Sequence, residues 1–211
     1  GTASVEVMGS RTFTASAVNR FGHSIPASGL DYTWWLISPI GGSITPTFAA
    51  ATFTAGSKTG TVEITAEAEG KKSATTTVTI TPGTITKLVF VPPTAGTLTV
   101  GMPDAMTVQT QDRFDNPSPG NATIIVHGDE QSRFAEASSD VAWTTSGTFT
   151  KTGTSRLTFF FKQNGTSTPV IITAAIEGTN ISATHSVTIL LIGSSSSGSI
   201  MADDGKTMVD I

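Results

Sequence analysis

With 211 residues, a net charge of −4 and only 13% charged side chains, the chain lacks the Lys/Arg surplus that non-specific nucleic-acid binding or docking on an anionic membrane requires. Its length suits two modules of roughly 100 residues each, and the absence of cysteine excludes disulfide-stapled mini-domains and thiolate metal sites. The longest strongly apolar run, residues 187–192, is far too short to cross a bilayer, and the opening GTASVEV lacks the charged-then-apolar layout of a signal peptide.

The elements follow in chain order. RFGHSIPASG (20–29) is a Gly- and Pro-rich connection. In the next segment the adjacent Trp34 and Trp35 point to opposite faces of a strand; Tyr32, Trp34 and Leu36 share one face, and Trp35 shares the other with Thr33 and Ile37. TVEITAEAEG (61–70) alternates with period two and places Val62, Ile64, Ala66 and Ala68 on a buried face. SATTTVTI (73–80) pairs with it and closes the first module at residue 82. TPGT (81–84) is a short, Pro-containing joint. TITKLVFVPP (84–93) reads as the opening strand of a second module spanning 83–193. RFDNPSPG (113–120) is again a connecting loop, DEQSRFAEASSD (129–140) is the best candidate for short helical turns, and TFFF (158–161) is a strand too aromatic to hide on one face, which predicts cover on both sides. ITAAIEG and SATHSVTI (182–189) close the second module. GSSSSGS (193–199) is a flexible linker, and residues 200–211 begin a further module within the segment 194–211.

The two halves are colinear copies. Arg113 lies 93 positions after Arg20, TFT at 52–54 recurs 96 positions later at 148–150, Ile172 lies 108 after Ile64, and Val187 lies 109 after Val78. The growing offset places insertions in the second copy, near 128–140 and within 157–169. Counting 93 back from Lys87 passes the first residue, so the first copy is expected to miss most of an opening strand.

The residues that carry a family likeness are Phe21, Gly22, Pro26, Tyr32, Trp34, FTAG at 53–56, Gly60 and ITA at 64–66 in the first copy. In the second they are DRFDNP at 112–117, Phe149 and ITA at 172–174. This pattern resembles the bacterial Ig-like domains, including the invasin and intimin type, of adhesins and surface-layer proteins. The resemblance implies an all-β fold of two tandem immunoglobulin-like Greek-key β-sandwiches, with Trp34 in the core. The second copy departs from the pattern, since ATIIVHG replaces the Tyr-x-Trp segment and calls for smaller core side chains.

Signals for chemistry are sparse. His23, His127 and His185 are scattered without metal-ligand spacing, and neither a nucleophile elbow nor a phosphate loop is present, so no catalytic residues are assigned. Asp112, Asp115 and Asn116 are candidate Ca²⁺ ligands, with Asp129, Glu130 or Asp140 joining them; the alternative is an Asx-capped turn. The first copy has Asn19, Gly22 and His23 in their places, so a metal site is not part of the repeated unit and no cofactor is expected of it. Trp35 is the candidate ligand-binding residue, stacking on a sugar ring or docking a partner, against a plainer reading in which a loop or the module interface buries it. Asn121, Asn164 and Asn180 sit in glycosylation sequons, and Lys87 with Asn180 is a formal isopeptide pair.

The expected role is a non-catalytic fragment of a large extracellular or surface-exposed bacterial protein, acting as stalk, spacer, surface-layer or adhesin module. The alternative is a carbohydrate- or partner-binding accessory module of a secreted polysaccharide-degrading enzyme or adhesin. Expected partners are other modules of the same protein, a second copy through an open strand edge, or a glycan.

Overall fold

The computed structural model describes residues 3–190 except 70, 95 and 167, and the side chains of 71–73 also fall outside the described set. The expected Ser-rich linker and further module at 194–211 lie outside the described residues. Every regular element among the described residues is a strand. The first nine are β1 (Ala3–Glu6), β2 (Ser10–Thr14), β3 (Ala17–Val18), β4 (Ser24–Ile25), β5 (Tyr32–Ile37), β6 (Gly42–Thr47), β7 (Ala50–Ala55), β8 (Gly60–Ala68) and β9 (Lys71–Thr81). The next nine are β10 (Lys87–Val91), β11 (Thr97–Thr99), β12 (Asp104–Gln111), β13 (Gly120–His127), β14 (Ser132–Ala135), β15 (Ser146–Thr154), β16 (Arg156–Gln163), β17 (Val170–Ile176) and β18 (Ser182–Leu190). The dominance of Thr, Val and Ile in these segments accounts for the choice, because β-branched side chains lose less rotamer freedom on a pleated surface than in a helix.

The chain is all-β and packs as β-sandwiches around two hydrophobic cores. The first core lies between the sheet β1-β9-β8-β5 and the sheet β2-β7-β6, with the β3–β4 hairpin beside them. Val62, Ile64 and Ala66 of β8 enter it, as the alternation predicts, together with Trp34, Phe53, Val78 and Ile80. The second core lies between β10-β12-β16-β14 and β11-β18-β17-β13-β15.

Strand pairing shows how the repeat is built. Val5 pairs in parallel with Ile80, as Leu98 does with Ile189, and Ile64 faces Thr76 as Ile172 faces His185. Trp34 pairs with Ala66, and Val126 pairs with Ala174, so a valine takes the tryptophan's place in the second core. Phe149 and Phe159 fill the remaining volume as a stacked pair, with ring centroids 5.4 Å apart.

Three sequence expectations are corrected. The TFT echo does not mark equivalent strands. Phe53 faces Arg11 and Phe161 faces Asp104, so β7 corresponds to β16, whereas TFT at 148–150 belongs to β15, which pairs with β13. This correspondence carries the offset of 108 already at Phe161, so TFFF belongs to the repeated unit and the insertion lies ahead of it, supplying β15. Residues 129–140 form no helix: single turns closed by the Ser132 amide on the Asp129 carbonyl and by the Asp140 amide on the Ala137 carbonyl flank Ser132–Ala135, a strand paired with β16, because Phe134 reaches the core beside Phe159 and Phe161 and tertiary pairing overrides local composition. Phe159 and Phe161 are fully buried, while Phe160 on the opposite face is half-buried; β14 flanks this strand in the plane of the sheet rather than covering it.

Candidate functional site

A densely hydrogen-bonded polar cluster lies in the loop between β12 and β13, where Asp112, Asp115 and Asn116, the candidate metal ligands, are found. Asp112 is 1% exposed and Asn116 is 4% exposed. The Asp112 Oδ1 accepts hydrogen bonds from the backbone amides of Phe114 (2.8 Å) and Asn116 (3.0 Å), and the Asn116 Nδ2 donates to both Asp112 oxygens (3.2 and 3.0 Å). Asp115 sits in the left-handed region (φ 67°) and turns outward to pair with Lys87. The structure thus brings Asp112 and Asn116 together but directs Asp115 away from them, in the geometry of an Asx-capped turn. Asp129 lies elsewhere, bound to Gln163 and Ser132. Lys87 is engaged with Asp115, and Asn180 is exposed.

The first copy repeats this turn at an offset of 93. The Asn19 Oδ1 accepts from the amides of Phe21 (2.9 Å) and His23 (3.1 Å), and Gly22 (φ 83°) takes the left-handed position that Asp115 occupies in the second copy. The loops differ in what they touch. The second copy's loop binds the linker: the Gly83 amide donates to Asp112 Oδ2 (3.0 Å), and Ser118 Oγ donates to the Gly83 carbonyl (2.6 Å). It also binds the preceding sandwich: Asn116 Nδ2 donates to the Ser57 carbonyl (2.8 Å), and the Thr59 amide donates to Asn116 Oδ1 (3.3 Å). Phe114 packs against the first core with the Arg113 guanidinium over its ring. A cavity of about 330 Å³ adjoins these contacts, lined in part by Glu6, Val7, Gly83 and Asp112. A Cβ on Gly83 would sit 3.2 Å from a Glu6 carboxylate oxygen and 3.6 Å from the side chains of Asp112 and Val7.

Burial alone would raise the Asp112 pKa. The hydrogen bonds from the Asn116 side chain and from the amides of Gly83, Phe114 and Asn116 outweigh it and hold the carboxyl below its ordinary 3.8. The charge is therefore kept, and the joint is fastened by charge-assisted hydrogen bonds.

Trp34 and Trp35 face as the sequence predicts. Trp34 is 8% exposed and its indole N–H donates to the Phe48 carbonyl (3.2 Å). Trp35 is 43% exposed beside Ile37 at 60%; among the described residues no loop buries it, against the plainer expectation, because it lies on the outer face of β5, the edge strand of its sheet. His23 and His127 are exposed and His185 is half-buried against the Phe90 ring, 5.3 Å away; among the described residues no group of three or more His, Asp or Glu is placed to hold a metal ion.

Sequence reasoning missed Lys151. It is 3% exposed, donates to the carbonyls of Gly120 and Thr154 at 2.8 Å each, and has its pKa lowered by burial. The signal was available: Gly147, Phe149 and Lys151 alternate along β15 and share its buried face.

No family model and no curated protein matches the chain. Among solved structures, the adhesin InvE of Yersinia pseudotuberculosis is 18% identical over 89% of this chain, with a TM-score of 0.36; this chain spans 56% of that one. Domains 4 and 5 of the S-layer protein SbsC are 16% identical over 86% of this chain and 82% of theirs, with a TM-score of 0.39. A β-glycosidase from Bacteroides vulgatus is 9% identical over 68% of this chain and 19% of its own, with a TM-score of 0.42.

Proposed function

We propose that the chain is a non-catalytic spacer in which sandwich modules are locked end to end, as part of a stalk, surface layer or adhesin outside a bacterial cell. One observation carries this reading. The only buried carboxylate among the described residues, Asp112, is spent on fastening the linker, while its neighbour Asn116 fastens the preceding sandwich. A freely jointed tether needs no such investment in buried polar groups, which are costly unless fully paired. A positional element needs it, because a fixed angle between modules is what transmits reach and load.

Limited proteolysis tests the reading. The linker 81–86 is expected to resist cleavage in the native chain and to be cut rapidly in the Asp112→Ala variant. Equal, fast cutting of both would refute a locked joint.

A second reading is favoured by the exposed Trp35–Ile37 strip: an accessory module that binds a glycan or a protein partner through Trp35. A glycan array run with wild type and Trp35→Ala separates the two, since binding that is lost with the tryptophan supports this reading.

A further inference from the structure

The two sandwiches differ at one edge. In the second, β10 lies antiparallel along residues 107–111, with Lys87 opposite Gln111 and Val91 opposite Thr107. Leu88 of that strand is buried in the core and Phe90 packs on it. At an offset of 93 the matching residues are 14–18. There β2, which ends at Thr14, is the edge of its sheet among the described residues, paired only with β7, and Ala17 and Val18 pair on one side alone, with Ile25 and Ser24 of β4, as Gln111 bridges Pro117 on the side away from β10. Thr107, Val108, Gln109 and Thr110 are all buried, whereas Thr14 and Ser16 are exposed and Ala15 and Ala17 half-buried. Val18 is 58% exposed.

The space that β10 fills in the second sandwich is open in the first. A groove of about 620 Å³ runs along residues 14–18 and is floored by Tyr32, Ala66 and Ala74. Its far wall matches as well: Ala74 is exposed, and Ala183, the residue 109 positions later, is half-buried. The Tyr32 hydroxyl, at the groove, is buried without a hydrogen-bond partner.

We propose that this groove is the seat of a β-strand of the β10 pattern, apolar at every second residue, that adds antiparallel to residues 14–18. The occupant is a strand carried ahead of β1 on the same polypeptide, as β10 is carried ahead of β11. Three features of the molecule specify it. The repeat supplies its chemistry, since Leu88 and Phe90 show which side chains the space accepts. The parallel pairing of β1 with β9 matches that of β11 with β18, so the entry path is the same in both sandwiches. The docking loop continues the seat: Phe114 packs on a neighbouring sandwich under Arg113, while its counterpart Phe21, under Arg20 in the same geometry, is 68% exposed. Strand addition at an open edge satisfies the backbone groups along it and buries alternate side chains. The proposal deepens the spacer reading, because the seated strand is the segment through which a further module would be locked on.

The test joins a copy of residues 84–95 directly ahead of Ala3 in the full chain. Hydrogen exchange is followed at the amides of residues 14–18, and thermal unfolding is recorded. Exchange at these amides is expected to slow at least about 10-fold, and the melting temperature of the first sandwich to rise by about 5 °C or more, as a gain near 1 kcal/mol produces in a domain of this size. The same extension carrying Leu88→Asp and Phe90→Asp in the fused copy is expected to give neither effect. Unchanged exchange with the native-sequence extension, or equal effects from both extensions, overturns the proposal. So does concentration-dependent protection of these amides in the unextended chain, which would assign the groove to a second copy. Proteolysis of the linker 81–86 reads the spacer proposal separately: a resistant linker with unchanged exchange at 14–18 sinks only the seat, and a labile linker with slowed exchange sinks only the lock.

Discussion

Replacing Asp112 tests the joint by degrees. In Asp112→Ala the amides of Gly83, Phe114 and Asn116 lose their acceptor, and the Asn116 side-chain amide loses the Asp112 carboxylate while keeping the Ser57 carbonyl. An unsatisfied buried donor costs about 1–3 kcal/mol. These costs do not add in full, because the Asn116 side chain keeps one acceptor and the adjoining cavity of about 330 Å³ can admit water to some of the others. A net loss of about 3–5 kcal/mol follows, comparable to breaking a buried charged network. Asp112→Asn is a different perturbation. Asn19 already holds the equivalent turn in the first copy through a single amide oxygen. Asparagine at 112 can therefore keep the bonds to Phe114 and Asn116, while its NH₂ faces the Gly83 amide as donor against donor. It is expected to cost about 1–2 kcal/mol and to release the linker while leaving the turn intact. Denaturant unfolding measures both losses, and hydrogen exchange at Gly83 and Phe114 locates them. The reasoning is refuted if the two variants are indistinguishable, or if Asp112→Ala stays within about 0.5 kcal/mol of wild type, the range of an ordinary surface change.

Other outcomes follow from the same geometry. Trp34→Ala should cost about 3–5 kcal/mol and Trp35→Ala less than about 1 kcal/mol by denaturant unfolding; equal losses would contradict their opposite facings. Because the folded Asp112 pKa lies below its ordinary 3.8, the stability it contributes is fully present above that value and is lost as pH falls through the lower folded value. An acid titration of linker cleavage should therefore show the joint holding at pH 4 and opening only below 3.8. Calcium and chelator should give the same melting temperature, since the oxygens of Asp112 already accept N–H donors; a calcium-dependent rise would restore the metal reading of Asp112, Asp115 and Asn116.

Much of the fold was legible because period-two alternation is a local signal. Val62, Ile64 and Ala66 enter the core as read, and Trp34 and Trp35 separate to opposite faces. The open groove beside β2 relates to the sequence differently: two colinear copies let β10 be compared with residues 14–18 by subtraction. What failed was also local. TFT is a cheap match in a chain rich in Thr and Phe, and only pairing partners show that β15 is the added strand and β16 the equivalent of β7. Of the three candidate metal ligands, Asp112 and Asn116 meet in the joint and Asp115 turns away to Lys87, and the joint's partners, Ser57, Thr59 and Gly83, lie in segments whose approach no periodicity encodes. Lys151 was overlooked because a lysine is read as solvated by habit, although its alternation with Phe149 placed it inside.

The account rests on a fixed angle between two sandwiches, and a distance distribution measures that directly. The chain has no cysteine, so Glu63→Cys and Thr148→Cys, both on exposed strand faces of different sandwiches, take spin labels at those two sites alone. Pulsed dipolar spectroscopy on the doubly labelled native chain should give one narrow distance peak, which broadens when Asp112→Ala is added. A broad distribution in the native chain, unchanged by that substitution, would show that the sandwiches are freely jointed and that the buried Asp112–Asn116 loop does not lock them.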